Sequence, residues 1–377
     1  MAKTTDIEIP HPRENPRLIG HDVAAQRFIE EFEQGKPHHA YLISGVKGIG
    51  KATVAYHFAR YILSHGAQTA KQEEAPSMSL FGEAEPTPKA TETQSLHMDP
   101  ESSLFRRIAA SSHTDLLSVS PAYDAKKHVE KNIISVDDAR KVPEFLSLTP
   151  AEGLWRVVIV DAVDQLNINA ANALLKILEE PPARAMLFLV CHQPAAILPT
   201  IRSRCRALKL TAPDEQAFSE ILSHIAPSIE IHEYAALYAL SGGSPGYAIT
   251  LFQEEGLKWY EGWLKAMHPA ATAEARQKFA DSASALKSPS GWAAIIHGWR
   301  TAMHRLSLYP NYASNQPILR KEDELLSAIT ESMRQPQRTA WLEQGTKLIR
   351  ETETFNLDKR YTIRLLTTPA QLDMLAS

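Results

Sequence analysis

The feature that most constrains this chain is a glycine-rich loop wedged between a strand and a helix. Ala40-Tyr41-Leu42-Ile43-Ser44 is a short apolar run, and Gly45-Val46-Lys47-Gly48-Ile49-Gly50-Lys51-Ala52 follows it directly. From Thr53 to Leu63, apolar residues at Val54, Phe58, Tyr61 and Ile62 fit one face of a helix. In that setting Gly45, Gly48 and Gly50 read as a loop whose backbone N–H groups turn around phosphate oxygens. Lys51 would reach the terminal phosphates, and the helix N-terminus adds a favourable dipole. A plain glycine turn is the competing reading, and the strand–loop–helix order argues against it.

The loop is damaged. A hydroxyl that binds Mg²⁺ belongs after the lysine, and Ala52 stands there. Thr53 is one residue late and is rotated by about 100° on a helix, away from the metal. A second element shows the same defect. Val157-Val158-Ile159-Val160 is continuously apolar and β-branched, as strands buried on both faces of a parallel sheet are. It ends at Asp161, a candidate magnesium ligand. Ala162 follows, where an acid would activate water. Asp161 could equally cap a turn, and Asp164 is a poor substitute acid three residues on.

The remaining pattern supports an α/β fold. His113 to Val119 reads as a strand, and Ile134 to Asp138 opens a helix with Ser135 as a candidate cap. Asn169 to Glu180 is a helix ended by Pro181-Pro182. Met186 to Cys191 and Ala207 to Leu210 complete the strands. Strands alternating with helices imply a parallel sheet. Residues from about 65 to 102, polar with Pro76, Pro86 and Pro88, read as a flexible acidic insertion. After Pro213 strands cease. Helices are expected over Glu215–Ile225, Glu233–Leu240 and Tyr247–Gln253, with a turn at Ser241 to Gly246. Five of six tryptophans (Trp259, Trp263, Trp292, Trp299, Trp341) fall beyond residue 255. That shift marks a separate helical domain. The expected domains are 1–210 (α/β), 211–254 (helical lid) and 255–377 (helical collar), with the tryptophans as core and interface anchors.

Composition excludes several classes. The net charge of -4 rules out a chain-wide basic field for nucleic acid. Two cysteines, Cys191 and Cys205, permit neither a disulfide framework nor a four-cysteine zinc site. No apolar run approaches the roughly 20 residues that cross a membrane, and Met1 to Glu14 lacks an apolar signal core. A cytoplasmic, soluble protein is expected.

Arg202 and Arg204 lie after the Cys191 strand. An arginine at an exposed edge can stabilise phosphate charge held by another subunit, although spacing alone favours an ordinary surface salt bridge. The helix Asn169-Ala170-Ala171-Asn172-Ala173-Leu174-Leu175-Lys176-Ile177-Leu178-Glu179-Glu180-Pro181-Pro182 changes that balance. With Leu198-Pro199-Thr200-Ile201-Arg202-Ser203-Arg204-Cys205, Leu18-Ile19-Gly20-His21 and the damaged loop, it closely resembles bacterial clamp-loader subunits of DNA polymerase III. The likeness spans roughly residues 15–250. It implies a RecA-like AAA+ domain with a parallel sheet, a small helical lid and a C-terminal helical collar. It also implies that Arg204 acts in trans as an arginine finger on ATP bound by the adjacent motor subunit. Ser203 and Cys205 would shape its turn. Cys191 stands at the first sensor position and Gly246 at the second, and neither suits a nucleotide contact. No zinc is expected. ATP or ADP could still sit at a degenerate site.

The implied function is a largely ATPase-inactive stator in the loading of a sliding clamp onto primed DNA during replication. The implied partners are the gamma/tau motor and delta subunits, the clamp, and primer-template DNA bound through phosphates without sequence specificity. Alone, the chain would not be catalytic, although it would belong to a DNA-directed DNA polymerase (nucleotidyltransferase) complex. Two rivals remain. One is an ATP-hydrolysing loader motor or other AAA+ ATPase, which Ala162 opposes. The other is a small-molecule phosphotransferase, which the collar and the Ser-Arg-Cys segment oppose.

Overall fold

A computed structural model describes residues 7–74, 96–121, 123–124, 129–130, 133–152, 154–286, 288–309 and 317–368. The chain divides into two compact units at Pro213/Asp214. The first is Pro10–Pro213, and the second is Asp214 onward together with the N-terminal residues up to Ile9. The segments expected as lid and collar lie together in the second unit.

Among the described residues, the first unit is built on seven strands and six α-helices. The strands are β1 (Ala40–Ser44), β2 (Leu116–Val119), β3 (Tyr123–Asp124), β4 (Val129–Glu130), β5 (Arg156–Asp161), β6 (Ala185–Cys191) and β7 (Arg206–Lys209). Five of them form a parallel sheet in the order β2-β5-β6-β1-β7, while β3 and β4 pair as a small antiparallel ladder. The helices are α1 (Asp22–Glu33), α2 (Lys51–Glu74), α3 (Ser103–Ala109), α4 (Val136–Leu146), α5 (Ile168–Glu179) and α6 (Pro199–Arg202).

The continuous apolar strands follow from two-sided burial. On one face of the sheet, Tyr41, Ile43, Val157, Ile159, Phe188 and Val190 pack with Phe28 of α1 and Val54, Phe58 and Ile62 of α2. On the other, Leu42, Val158, Val160, Leu187 and Leu189 pack with Val142 of α4 and Leu174 and Leu178 of α5. Alternate residues of each strand serve opposite cores, so neither face tolerates polar residues. Each such side chain contributes about 1.5–3 kcal/mol on burial. Helix α5 begins where the Asn167 side chain accepts from the Ala170 N–H at 2.9 Å. It stops before Pro181-Pro182, as expected. Ser135 caps α4 in the same way, accepting from the Asp138 N–H at 3.1 Å.

Two expectations need correction. The segment from 65 is not structureless throughout, because α2 runs on to Glu74. Ala67, Gln68, Ala70 and Lys71 are polar or small yet favour helix, so the turn nucleated upstream propagates through them. Leu96 is buried, its carbonyl accepts from His57 Nδ1 at 3.0 Å, and Ser102 caps α3. Residues 75–95 of the expected insertion lie outside the described residues. The strand expected from His113 begins only at Leu116. Asp115 is instead buried, its carboxylate accepting from the Ala151 and Glu152 N–H groups at 2.8 and 2.9 Å. Those bonds tie its side chain to the loop before β5, while its carbonyl accepts from the Val157 N–H of β5 at 3.0 Å.

The second unit is helical. It comprises α7 (Glu215–Ile225), α8 (Ile231–Ser241), α9 (Pro245–Gln253), α10 (Gly256–Met267), α11 (Ala273–Ser284), α12 (Pro289–Leu308), α13 (Glu322–Glu331), α14 (Gln335–Phe355) and α15 (Lys359–Leu366). Gly242 and Gly243 take positive φ (64° and 76°) in the turn that precedes α9. All five tryptophans are buried inside this unit. They are therefore core residues, with little face left to anchor a partner. Trp263 donates to the Ile295 carbonyl at 2.7 Å, which ties α10 to α12. None of the described helices is long and apolar enough to cross a membrane.

Candidate functional site

Parallel strands bring their carboxyl ends to one edge, and the damaged motifs gather there. In register, Ser44 pairs with Cys191 and Asp161 with Val190. The glycine loop leaves β1 at that edge, Asp161 ends β5, and Cys191 ends β6 between them. This is the edge at which open α/β sheets bind ligands.

Three glycines make the loop. Gly45, Gly48 and Gly50 all take positive φ. At Gly45 the space is also closed, since a Cβ would sit 2.7 Å from the Leu210 carbonyl oxygen and 2.6 Å from Ile49 Cδ1. His21 braces the far end of the loop. Its Nε2 lies 2.6 Å from the Ile49 carbonyl oxygen, which can only accept, so Nε2 carries the proton. Burial holds the His21 pKa below its ordinary value. The sequence offered His21 only as part of a resemblance, and its role became visible through this contact.

Lys51, the first residue of α2, is 3% exposed. Its Nζ donates to the carbonyls of Gly45 at 2.8 Å and Val46 at 2.7 Å. Burial pushes its pKa down to about 8, against the opposing pull of the Asp161 carboxylate. Ala52, the second residue of α2, packs partly buried against the core, and Ala162 is buried. Asp164 is engaged elsewhere, since its carboxylate accepts from the His192 and Gln193 N–H groups at 3.0 and 3.2 Å and so fixes the turn after β6. Cys191 is buried, with its thiol pushed up to about 11 by burial. The residues at this edge suit a phosphate group at the loop. They do not suit a catalytic magnesium, because Ala52 brings no hydroxyl and Ala162 no carboxylate.

Arg204 is not part of this cluster. Strand β7 pairs with β1 through Tyr41–Arg206 and Ser44–Lys209. Arg204 therefore precedes the strand at the edge where strands begin, and the glycine loop leaves at the edge where they end. The three residue steps from Tyr41 to Ser44, about 10 Å of strand, and Cys205 lie between them. At its own edge the Arg204 guanidinium is bound by Glu179 at the end of α5, Nη2 to Oε1 at 2.8 Å. It also donates through Nη1 to the Thr200 carbonyl at 2.9 Å. Ser203 shapes the turn by donating to that same carbonyl at 3.1 Å. Cys205 packs against the sheet core, and burial pushes its thiol up to about 12, which leaves it no nucleophilic character at neutral pH. Gly246 lies in the first turn of α9.

Comparison with known proteins places these elements in context. The model of the family described as DNA polymerase III, delta subunit, matches residues 20–85 and 87–214, about half of the chain. The chain is 34% identical over 207 residues to a protein named DNA polymerase III subunit delta' from Pseudomonas aeruginosa, covering 55% of this chain and 53% of that one. It is 31% identical over 242 residues to the protein of that name from Escherichia coli, covering 64% and 63%. It is also 29% identical over 230 residues to DNA polymerase III subunit tau of Salmonella typhimurium, covering 61% of this chain and 30% of the other. The matched regions thus span between about half and just under two thirds of the delta' relatives.

Proposed function

The chain belongs to the DNA polymerase III, delta subunit family of clamp-loader proteins in DNA replication, and from that premise we propose that it acts as a stator. It takes the place of the delta' subunit in a ring with gamma or tau motor subunits and delta. In that ring it hydrolyses no ATP itself. It presents Arg204 to nucleotide held by a neighbour while a sliding clamp is opened and placed on primed DNA.

One observation carries this reading, the opposed placement of the glycine loop and Arg204 on the sheet. An arginine at the edge where the strands begin cannot serve a loop at the edge where they end, which supports a phosphate partner on another chain. Spread over phosphoryl oxygens, transition-state charge is what a guanidinium neutralises. The loop's own losses support the inactive half of the proposal. Ala52 and Ala162 remove the metal hydroxyl and the water-activating acid, and Lys51 is satisfied by the loop itself. ADP or ATP could lodge at Gly45, Gly48, Gly50, Lys51 and Asp161 without being cleaved.

The motor reading is the rival, and it gains weight because the tau relative is nearly as similar as the delta' relatives. A single experiment separates them. ATP turnover is measured for the purified chain alone, then for the chain assembled with motor and delta subunits, clamp and primed DNA. The stator reading expects no turnover alone and a loss of at least about tenfold in the complex with Arg204→Ala, given the large effects of arginine fingers. Turnover by the chain alone that Lys51→Ala abolishes would establish a motor.

A further inference from the structure

We propose that Glu179 is a positioning residue for the arginine finger, holding the Arg204 guanidinium ready for a neighbour's phosphate; this rests on the function proposed above. Two anchors fix that guanidinium, and they come from different elements. The Thr200 carbonyl lies one turn back, in α6. The Glu179 carboxylate comes from the last turn of α5, 25 residues earlier in the chain. Together they orient the planar group relative to α5 rather than only to its own turn. Two of the five guanidinium N–H donors are used in this way, and three remain for a phosphate.

Helix stability does not account for an acid at residue 179. A carboxylate in the last turn faces the negative end of the helix dipole, an unfavourable place. Nor does the pair contribute much to the stability of the fold. Its side chains are 35% and 48% exposed, and ion pairs so exposed are worth at most about 1 kcal/mol. A weak, half-exposed pair has the properties that positioning requires. It narrows the rotamers of a long side chain, and it leaves the arginine's charge available to a second anion, as a deeply buried pair would not.

The test uses the whole assembled complex with clamp and primed DNA, and reads kcat and KM for ATP. Glu179→Gln should lower kcat about threefold to fivefold, the full worth of such a pair, with KM changed less than twofold. Glu179→Lys, which repels the guanidinium, should lower it further. In an Arg204→Ala background Glu179→Gln should have no effect, because the residue it positions is gone. An unchanged or raised kcat with Glu179→Gln, while Arg204→Ala still abolishes turnover, overturns the positioning role and leaves the finger intact. The same loss in both backgrounds also overturns it, since Glu179 would then act independently of Arg204. If Arg204→Ala itself changes nothing, the finger and its positioning fall together.

Discussion

The Nζ of Lys51 and the carbonyl oxygen of Val46 lie 2.7 Å apart, so the residue expected to hold phosphate is held by its own loop. With Gly45 as the second acceptor, the ammonium closes the loop upon itself.

Truncating that lysine should therefore affect the fold and not the chemistry. Lys51→Ala is expected to lower stability by about 1–3 kcal/mol, the range for hydrogen bonds from a charged donor. Turnover of the assembled complex should stay within about twofold of wild type. Denaturant unfolding and steady-state ATP hydrolysis measure the two. A complex silenced by Lys51→Ala would show that this loop cleaves nucleotide after all.

Gly45 admits no side chain. Gly45→Ala would drive a methyl group against the Leu210 carbonyl and Ile49, and the backbone there has positive φ. A loss of about 1–3 kcal/mol is expected from such overpacking, read as a lower unfolding temperature. Gly45 is thus fixed by packing whether or not a nucleotide ever binds.

Acid should weaken the protein through its buried histidines. Burial and the neighbouring Arg60 push the His57 pKa down to about 4, and His21, His113 and His297 are also depressed by burial. The unfolded chain binds these protons near the ordinary pKa of about 6.5, and the folded chain does not. For His57 the stabilisation is complete above pH 6.5 and is lost as pH falls from there towards 4, by up to about 1.4 kcal/mol per pH unit, and the other three histidines act in the same direction. The denaturation midpoint should hold steady from pH 8 to 7 and then drop. His57→Gln should make the decline between pH 6.5 and 5 shallower, and an equally steep decline would remove His57 as its source.

In the helical unit a buried charge pair offers a sharper stability test. Glu322 receives Arg305 Nη1 at 2.8 Å, the Tyr260 hydroxyl and the Ile318 N–H, with both charged side chains at most 4% exposed. Glu322→Ala leaves a cation buried without its acid and should cost about 3–5 kcal/mol. Replacing Arg305 by Met in the same chain should recover much of it. Urea unfolding of the two variants gives the comparison.

The sheet was legible because each strand must satisfy two cores at once. Val157 to Val160 and Met186 to Cys191 carry no polar residue, and their boundaries were read to within a residue. Helix ends with a local signature were equally plain, as at Ser135 and Pro181. What escaped notice depends on partners distant in sequence. Asp115, just before β2, turns its carboxylate to Ala151 and Glu152 across 36 and 37 residues. His21 grips Ile49 across 28, and Glu179 reaches Arg204 across 25. Residues 65–74 misled for another reason: their polar composition suggested a tether, while their helix propensity simply extended α2. The damage at Ala52 and Ala162 could be read directly, since it consists of atoms that are missing from the side chains themselves.

Because β1 and β7 run side by side in the same direction, the glycine loop and Arg204 leave the sheet as a head and a tail. Subunits of this kind are like tiles with a tongue on one side and a groove on the other. On the proposed stator reading they are laid only in one sense, and a tile whose own groove cleaves nothing stands at the end of a row.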